Sequence, residues 1–451
     1  MKTLYAGAGV ADITPQDSLY LFGYPHVQRY STGVHDPLLS SALYLSDGRT
    51  PLLFIANDVI FIGKATAQRV RQRIEQATGV PAAHILVSAT HTHSGPSTVD
   101  YISLAQDPTV PPLDERYLRR FEDGIVTAGC EAVRRAAAAE VGLAVADGSG
   151  VGTNRRNPTG PADPQVPVLL VRSAADGRPI ACMLVCSMHP TVLREDSTVV
   201  SADFPGMARR YLQDRLLGGD CPVLHHTGPA GNQSPRHVVR GNTLAEARRL
   251  GEVLGRAVAD AIGRIRFTAR PELEVRRTFL DLPRRVFPSV AEAGRRLEAA
   301  AQKLARLRAV NAPRQKVRGA EVDWFGAEET LWLARLAAEG RLEPVYRSCL
   351  PAEVQVMRIG PWAFVGWPGE VFVEHALAVK AQAADTYVIS LANGELQGYI
   401  ATEMAAVEGG YEASNAIFAP AAGQRLVEAT LVLLRQIEGE LSVSHGLSHP
   451  G

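Results

Sequence analysis

Two histidines two residues apart, His91 and His93, follow, after Thr90, the mostly apolar run His84-Ile85-Leu86-Val87-Ser88-Ala89 and lead into Ser94-Gly95-Pro96. Imidazoles placed where a buried strand runs out into a Gly-Pro turn project into a cleft and not into a core. Neutral imidazole is a common metal ligand, so the stretch reads as the first piece of a metal site. The run Pro179 to Cys186 repeats the pattern and delivers His189 before Pro190. A lone histidine at a strand end is more often a hydrogen-bonded structural residue; the parallel with His91 raises His189 above that reading. The five cysteines, Cys130, Cys182, Cys186, Cys221 and Cys349, make no CxxC pair, so a metal here takes His, carboxylate or phenolate ligands.

Other residues carry chemistry on weaker grounds. Arg155 and Arg156 lie in the irregular segment Gly150 to Pro158; such arginines are usually only solvated, but a fixed guanidinium can also serve an anionic group or an oxyanion. Ser234 sits in the turn Thr227-Gly228-Pro229-Ala230-Gly231-Asn232-Gln233-Ser234-Pro235. It is not a GxSxG elbow, and its residues alone leave it balanced between catalysis and turn chemistry. Asp203 opens a helix, where capping is a sufficient role.

The elements that must position these residues follow βαβ grammar. Strands are expected within Gly9 to Pro15, which ends in a turn, and over Ser41 to Leu45, Pro51 to Ala56, the run before His91, Val141 to Val145, the run before His189, and Pro222 to His226. Helices are expected over Lys64 to Thr78, Asp114 to about Glu140, and after Asp203. A loop from Ser97 to Leu113, with Asp100 and Asp107, is a candidate rim or lid. Later, Ala352 to Ile359 and Ala363 to Val365 read as a β-hairpin delivering Glu370 at a helix start. A strand Tyr387 to Leu391 precedes Tyr399, and an amphipathic helix Gly423 to about Glu438 closes the domain.

Composition excludes several classes. The 451 residues hold 47 Lys plus Arg and 47 Asp plus Glu, so no global field points to nucleic acid or an anionic membrane. No apolar run approaches a membrane span, and the N-terminus lacks an apolar leader; together with the cysteine usage this places the chain in the cytoplasm as an expectation.

Taken in order, Gly-x-Ala-Asp-Ile-Thr (Gly9 to Thr14), Phe22-Gly23-Tyr24, Gly33-Val34-His35, Ser88-Ala89-Thr90-His91-Thr92-His93-Ser94-Gly95-Pro96, Asn154-Arg155, His189 and Gly231-Asn232-Gln233-Ser234-Pro235 resemble the motifs of the neutral/alkaline (non-lysosomal) ceramidase family. Pro368-Gly369-Glu370, Asn393 to Thr402 and Tyr411-Glu412-Ala413-Ser414 continue the resemblance. An ordered set of motifs is far more specific than any one of them. The resemblance implies Zn2+ held by His91, His189, Glu370 and Tyr399. It further implies that His93 and Arg155 face the developing oxyanion, that Ser234 is needed for activity, and that Tyr411 lies at the substrate. Two imidazoles, a carboxylate and a phenolate make an all-N/O zinc shell with a position left for water.

The resulting expectation is an α/β catalytic domain over 1–440, with mixed central sheets covered by helices and an inserted helical hairpin at about 288–345. Its helices are expected over Arg295 to Val310 and Gly326 to Gly340, as a packing or dimer arm through which copies would pair. A flexible tail is expected over 441–451 and no C-terminal immunoglobulin-like domain. The expected activity is zinc-dependent hydrolysis of an N-acyl amide, with ceramide suggested by the resemblance. A small polar N-acyl amine, or an ester or lactone, is the alternative on the same site, and a noncatalytic metal-binding role ranks below both.

Overall fold

The computed structural model describes residues 3–446, built on two β-sheets laid face to face with helices outside both. The larger sheet contains β1 (Tyr5–Asp12), β2 (Leu39–Ser46), β3 (Pro51–Asn57), β4 (Ile85–Ala89), β5 (Ala137–Asp147), β6 (Gln165–Ser173), β7 (Pro179–Cys186) and β8 (Val223–Thr227). Their order across the sheet is β8-β7-β6-β5-β1-β2-β3-β4. Only β3–β4 and β7–β8 pair in parallel. Parallel neighbours need a crossover, supplied by helices α1 (Lys64–Thr78) and α3 (Asp203–Leu212); α2 (Glu115–Arg134) and α4 (Leu244–Ile262) complete the helical layers. The smaller sheet runs β9 (Leu273–Leu280), β10 (Ala352–Ile359), β11 (Trp362–Gly366), β12 (Thr386–Ile389), with only the last pair parallel.

Side-chain alternation shows why the central strands read as unbroken apolar runs. Leu52, Phe54 and Ala56 of β3, with Ala181, Met183 and Val185 of β7, pack between the sheets against Met357, Phe364 and Ile389. Leu53 and Ile55 point the other way, onto α1 and α2. Cys182, Leu184 and Cys186 pack under α3 and α4. Both faces of these strands are covered, so both must be apolar. The outer face of the smaller sheet, Val354, Val356 and Val365, meets residues of α6 (Arg314–Ala338), the second helix of a hairpin with α5 (Val290–Ala309), of α7 (Val373–Lys380) and of α8 (Ala421–Gly446).

The larger sheet curls until its two edges meet. Ser88 Oγ of β4 lies 2.7 Å from His226 Nδ1 of β8, and Thr227 Oγ1 donates to Thr90 O at 2.7 Å. The segment after β12 fills the seam: Ser390 N donates to Thr227 O, and Ala89 N to Leu391 O. The carboxyl ends of β4 and β8, and the chain leading to Tyr399, therefore converge.

The expected α/β architecture of mixed sheets under helices is found, with local differences. The helix expected to reach Glu140 stops at Arg134, and Ala137–Asp147 is a strand bonded to β1 and β6. Ala139 and Val141 are needed between the sheets, and that packing overrides alanine's helix propensity. The hairpin helices are longer than expected, and Glu370 lies in a two-residue strand ahead of α7, not at a helix start. The tail expected from 441 is helical as far as Gly446; residues 447–451 lie outside the described residues. No helix among the described residues is long and apolar enough to cross a membrane.

Candidate metal centre and cleft

His91 leaves β4 in a left-handed conformation, φ 68°, with its backbone N–H on Val59 O. The segment that delivers Tyr399 is held in the same region at Leu391, Asn393 and Gln397. Non-glycine residues adopt this conformation at a cost of about 1–3 kcal/mol each, and do so where a site is over-determined by its surroundings. Glu370 and Tyr399 are direct partners in a short parallel ladder, Glu370–Val371 with Tyr399–Ile400.

Three histidines converge with their Nδ1 atoms committed. His91 Nδ1 lies 2.8 Å from Ile60 O, His189 Nδ1 2.6 Å from Ala230 O and 3.0 Å from Gln233 O, and His93 Nδ1 3.1 Å from Gly23 O. A carbonyl only accepts, so each Nδ1 carries a proton. The Nε2 atoms then face one another: His91 to His189 at 3.0 Å and His93 to His91 at 3.4 Å. Glu370 Oε2 lies 3.2 Å from His91 Nε2 and 3.1 Å from His189 Nε2.

Burial, with the Arg155 charge adding, lowers the His189 pKa to about 4. Burial also holds His93 well below its usual range. Burial alone would raise the Glu370 carboxyl, but the neighbouring His91 and His189 hold it well below the carboxylate range. Lone pairs aimed at lone pairs in a buried space are relieved by a cation at their centre, so the donor set fits a metal. Tyr399 is pushed well above its ordinary value by burial and by Glu370, with Arg155 opposing. As a ligand it needs the metal's charge to lose its proton.

His93 belongs to the same cluster of possible ligands as His91 and His189 but, unlike them, makes no ion pair with Glu370 among the described residues. It faces instead a cavity of about 810 Å³, together with Arg155, Ser234, Tyr399 and Tyr411. Thr153–Asn154 pairs with Gln233–Ser234, which brings Arg155 and Ser234 to the cavity from one ladder. Ser234 Oγ caps a single helical turn by accepting from Arg236 N at 3.2 Å, and its own O–H has no acceptor among the described residues. Arg155 donates to Gly231 O at 2.6 Å, pairs with Glu412 at 2.8 Å, and lies over the Tyr399 ring at 5.4 Å. The Tyr411 ring meets Tyr399 edge-on at 6.1 Å.

Sequence reasoning missed several parts of this assembly. Glu412 bridges Arg155 and Arg156 and stays ionised, because the two guanidinium groups outweigh its burial. Tyr24 packs on the His93 ring at 5.2 Å. Gly23 has φ +117°, and a Cβ there would meet His93 Nδ1 at 2.4 Å, so Phe-Gly-Tyr is more than a turn. Asp203 does open α3, but it also accepts from Leu193 N at 2.9 Å, tying down the loop after His189. The hairpin expected as a packing or dimer arm supplies a wall of the cavity through Arg318, Val322 and Phe325 of α6. Each becomes visible only when distant segments meet; the signal within reach was the glycine inside Phe-Gly-Tyr.

Known proteins resemble the chain along most of its length. Residues 4–222 match the family described as neutral/alkaline non-lysosomal ceramidase, N-terminal. The neutral ceramidase of Mycobacterium tuberculosis is 27% identical over 237 residues, 48% of this chain but 36% of that protein, so the match spans little more than a third of that relative. The neutral ceramidase of Pseudomonas aeruginosa is 24% identical over 493 aligned positions, covering 95% of this chain and 72% of that protein. Its crystal structure superposes with a TM-score of 0.76 at 21% identity, over 97% of this chain and 75% of that one. A ceramidase complexed with C2 gives 0.72 at 19% identity, over 95% and 74%. Residues 4–222 thus match the neutral/alkaline non-lysosomal ceramidase family, and nearly all of the chain shares the fold of the two solved ceramidases.

Proposed function

We propose that the chain is a zinc-dependent hydrolase of an N-acyl amide bond, acting on ceramide or on a smaller acylated amine. The observation that carries this reading is the convergence of His91 Nε2, His189 Nε2 and Glu370 Oε2 beside Tyr399, with His93, Arg155 and Ser234 on the cavity side of it. Those four residues would hold the zinc, which would supply a Lewis acid and lower the pKa of water toward neutrality.

The remaining chemistry falls to the chain's own groups. His93, its Nδ1 proton fixed on Gly23 O, offers Nε2 first as an acceptor. It takes a proton as water or Ser234 attacks the acyl carbon. The resulting imidazolium then stabilises the oxyanion and returns the proton to the leaving amine nitrogen. Arg155, charged at every working pH and clamped by Glu412, stabilises the same oxygen. Ser234 either attacks directly or positions the water; a burst of amine ahead of steady turnover is the mark of direct attack. Tyr411 bounds the substrate beside Tyr399.

The charged side chains along the cavity favour the smaller polar amide over ceramide as a second reading. Amine release, followed by mass spectrometry, from zinc-loaded protein offered long-chain ceramide, a short N-acetylated polar amine and a matched ester separates these cases. Cleavage of an amide sustains the proposal. Cleavage of the ester alone replaces it with an esterase, and no turnover by zinc-loaded protein overturns it.

A further inference from the structure

The cavity in front of His93 and Ser234 is lined by five arginines, Arg155, Arg156, Arg194, Arg236 and Arg318. Its carboxylates are all engaged. Glu412 pairs with Arg155 at 2.8 Å and Arg156 at 3.0 Å, Glu408 with Arg156 at 3.1 Å, Glu195 with Arg318 at 3.1 Å, and Asp323 with Lys303 at 2.8 Å. Arg194 and Arg236 are left with no carboxylate partner among the described residues. Both line the cavity, five residues after His189 and two residues after Ser234 in the chain. Partial burial lowers the Arg236 pKa, and the charges of Arg155 and Arg194 lower it further, only partly opposed by Glu412. Cations that outnumber the counter-charges in a cleft are stabilised by an anion brought by the ligand, and guanidinium matches a carboxylate or phosphate in geometry as well as charge. Ceramide carries no such group.

We infer that the cleft takes an N-acylated amine bearing an oxyanion, a carboxylate or a phosphate, which Arg194 and Arg236 hold while the amide lies over His93 and Ser234. The inference rests on the amide-hydrolase reading above. It makes the two arginines the specificity-determining residues of that site and gives the arginine-rich wall a substrate.

The test compares kcat/KM of zinc-loaded protein for N-octanoyl-β-alanine, N-octanoyl-aminoethyl phosphate and the neutral N-octanoylethanolamine. The same three compounds are then offered to the double variant Arg194→Gln, Arg236→Gln, with zinc content and melting temperature checked, and to each single variant should the double not fold. The expected result is a preference for the anionic compounds of about tenfold or more, carried by KM and collapsing toward parity in the variants. The better of the two anions identifies the source. A preference that is absent, or that survives the substitutions, overturns the inference. If none of the three is cleaved, the hydrolase reading fails on its own, and calorimetric binding of the same compounds decides the anion site. Anionic binding lost in the variants upholds the site, and binding that is absent or indifferent to charge ends it.

Discussion

Committing three Nδ1 protons to backbone carbonyls turns ordinary imidazoles into oriented donors, and Glu370 divides them by contacting His91 and His189 but not His93. His91→Ala and His189→Ala are therefore expected to lose zinc and turnover together. His93→Ala is expected to keep zinc, measured by elemental analysis, and to lose about 10²–10⁴-fold in kcat; equal zinc loss in all three would erase the division. Gly23→Ala drives a methyl group into the His93 ring, so activity should fall by at least the loss seen in His93→Ala, whereas a variant of normal rate would show that the ring need not sit there. Glu412→Gln weakens the clamp on Arg155 and Arg156 and should cost about ten- to a hundredfold in kcat/KM. His91 and His189 were legible because each ends an apolar run. Glu370 and Tyr399 were not legible from pattern, because a two-residue ladder has no periodicity to read; only the order of family motifs pointed to them.

Among the elements, the α5–α6 hairpin departs furthest from its sequence reading. Alternating charge and Leu/Ala stripes announce two helices that pack on each other, yet nothing in them says which face meets a cleft. Likewise, Ala137 to Glu140 carries the composition of a helix and becomes strand because two neighbouring strands offer it ladders. The hairpin buries one carboxyl, Glu329: Oε2 accepts from Asn415 Nδ2 and Oε1 has no partner among the described residues. Burial, with Glu328 and Asp107 nearby, raises its pKa from 4.5 to about 8. The folded state thus keeps a proton that the unfolded chain has released, so this group's contribution is greatest below about pH 4.5 and is lost as pH rises through about 8. The wild-type melting temperature should fall between pH 6 and pH 9. Glu329→Gln should fall less, though not to zero, since burial also raises Glu395 to about 8. Parallel curves for the two proteins would refute the assignment.

On the scale of the whole molecule, the proposed ligands join two bodies. His91 and His189 end strands of the larger sheet, while Glu370 and Tyr399 follow strands of the smaller one. A metal bound only by the folded chain stabilises it by about 4 kcal/mol when free metal is a thousandfold above Kd. Chelation should accordingly lower the melting temperature, and added zinc should restore it. A melting curve indifferent to chelation would mean that the four side chains do not share an ion. The α/β class and most strands were legible because the central strands are apolar on both faces. The curl that brings β4 to β8 was not, since it rests on single hydrogen bonds between residues more than a hundred positions apart. The same spacing along the chain puts an order in time on metal capture. A nascent chain exposes His91 and His189 while Glu370 and Tyr399 are still to be translated, and two imidazoles without their anionic partners hold an ion weakly. On the proposed reading, zinc would be retained only once the later sheet has docked, and its uptake would report that synthesis and folding of this domain have finished.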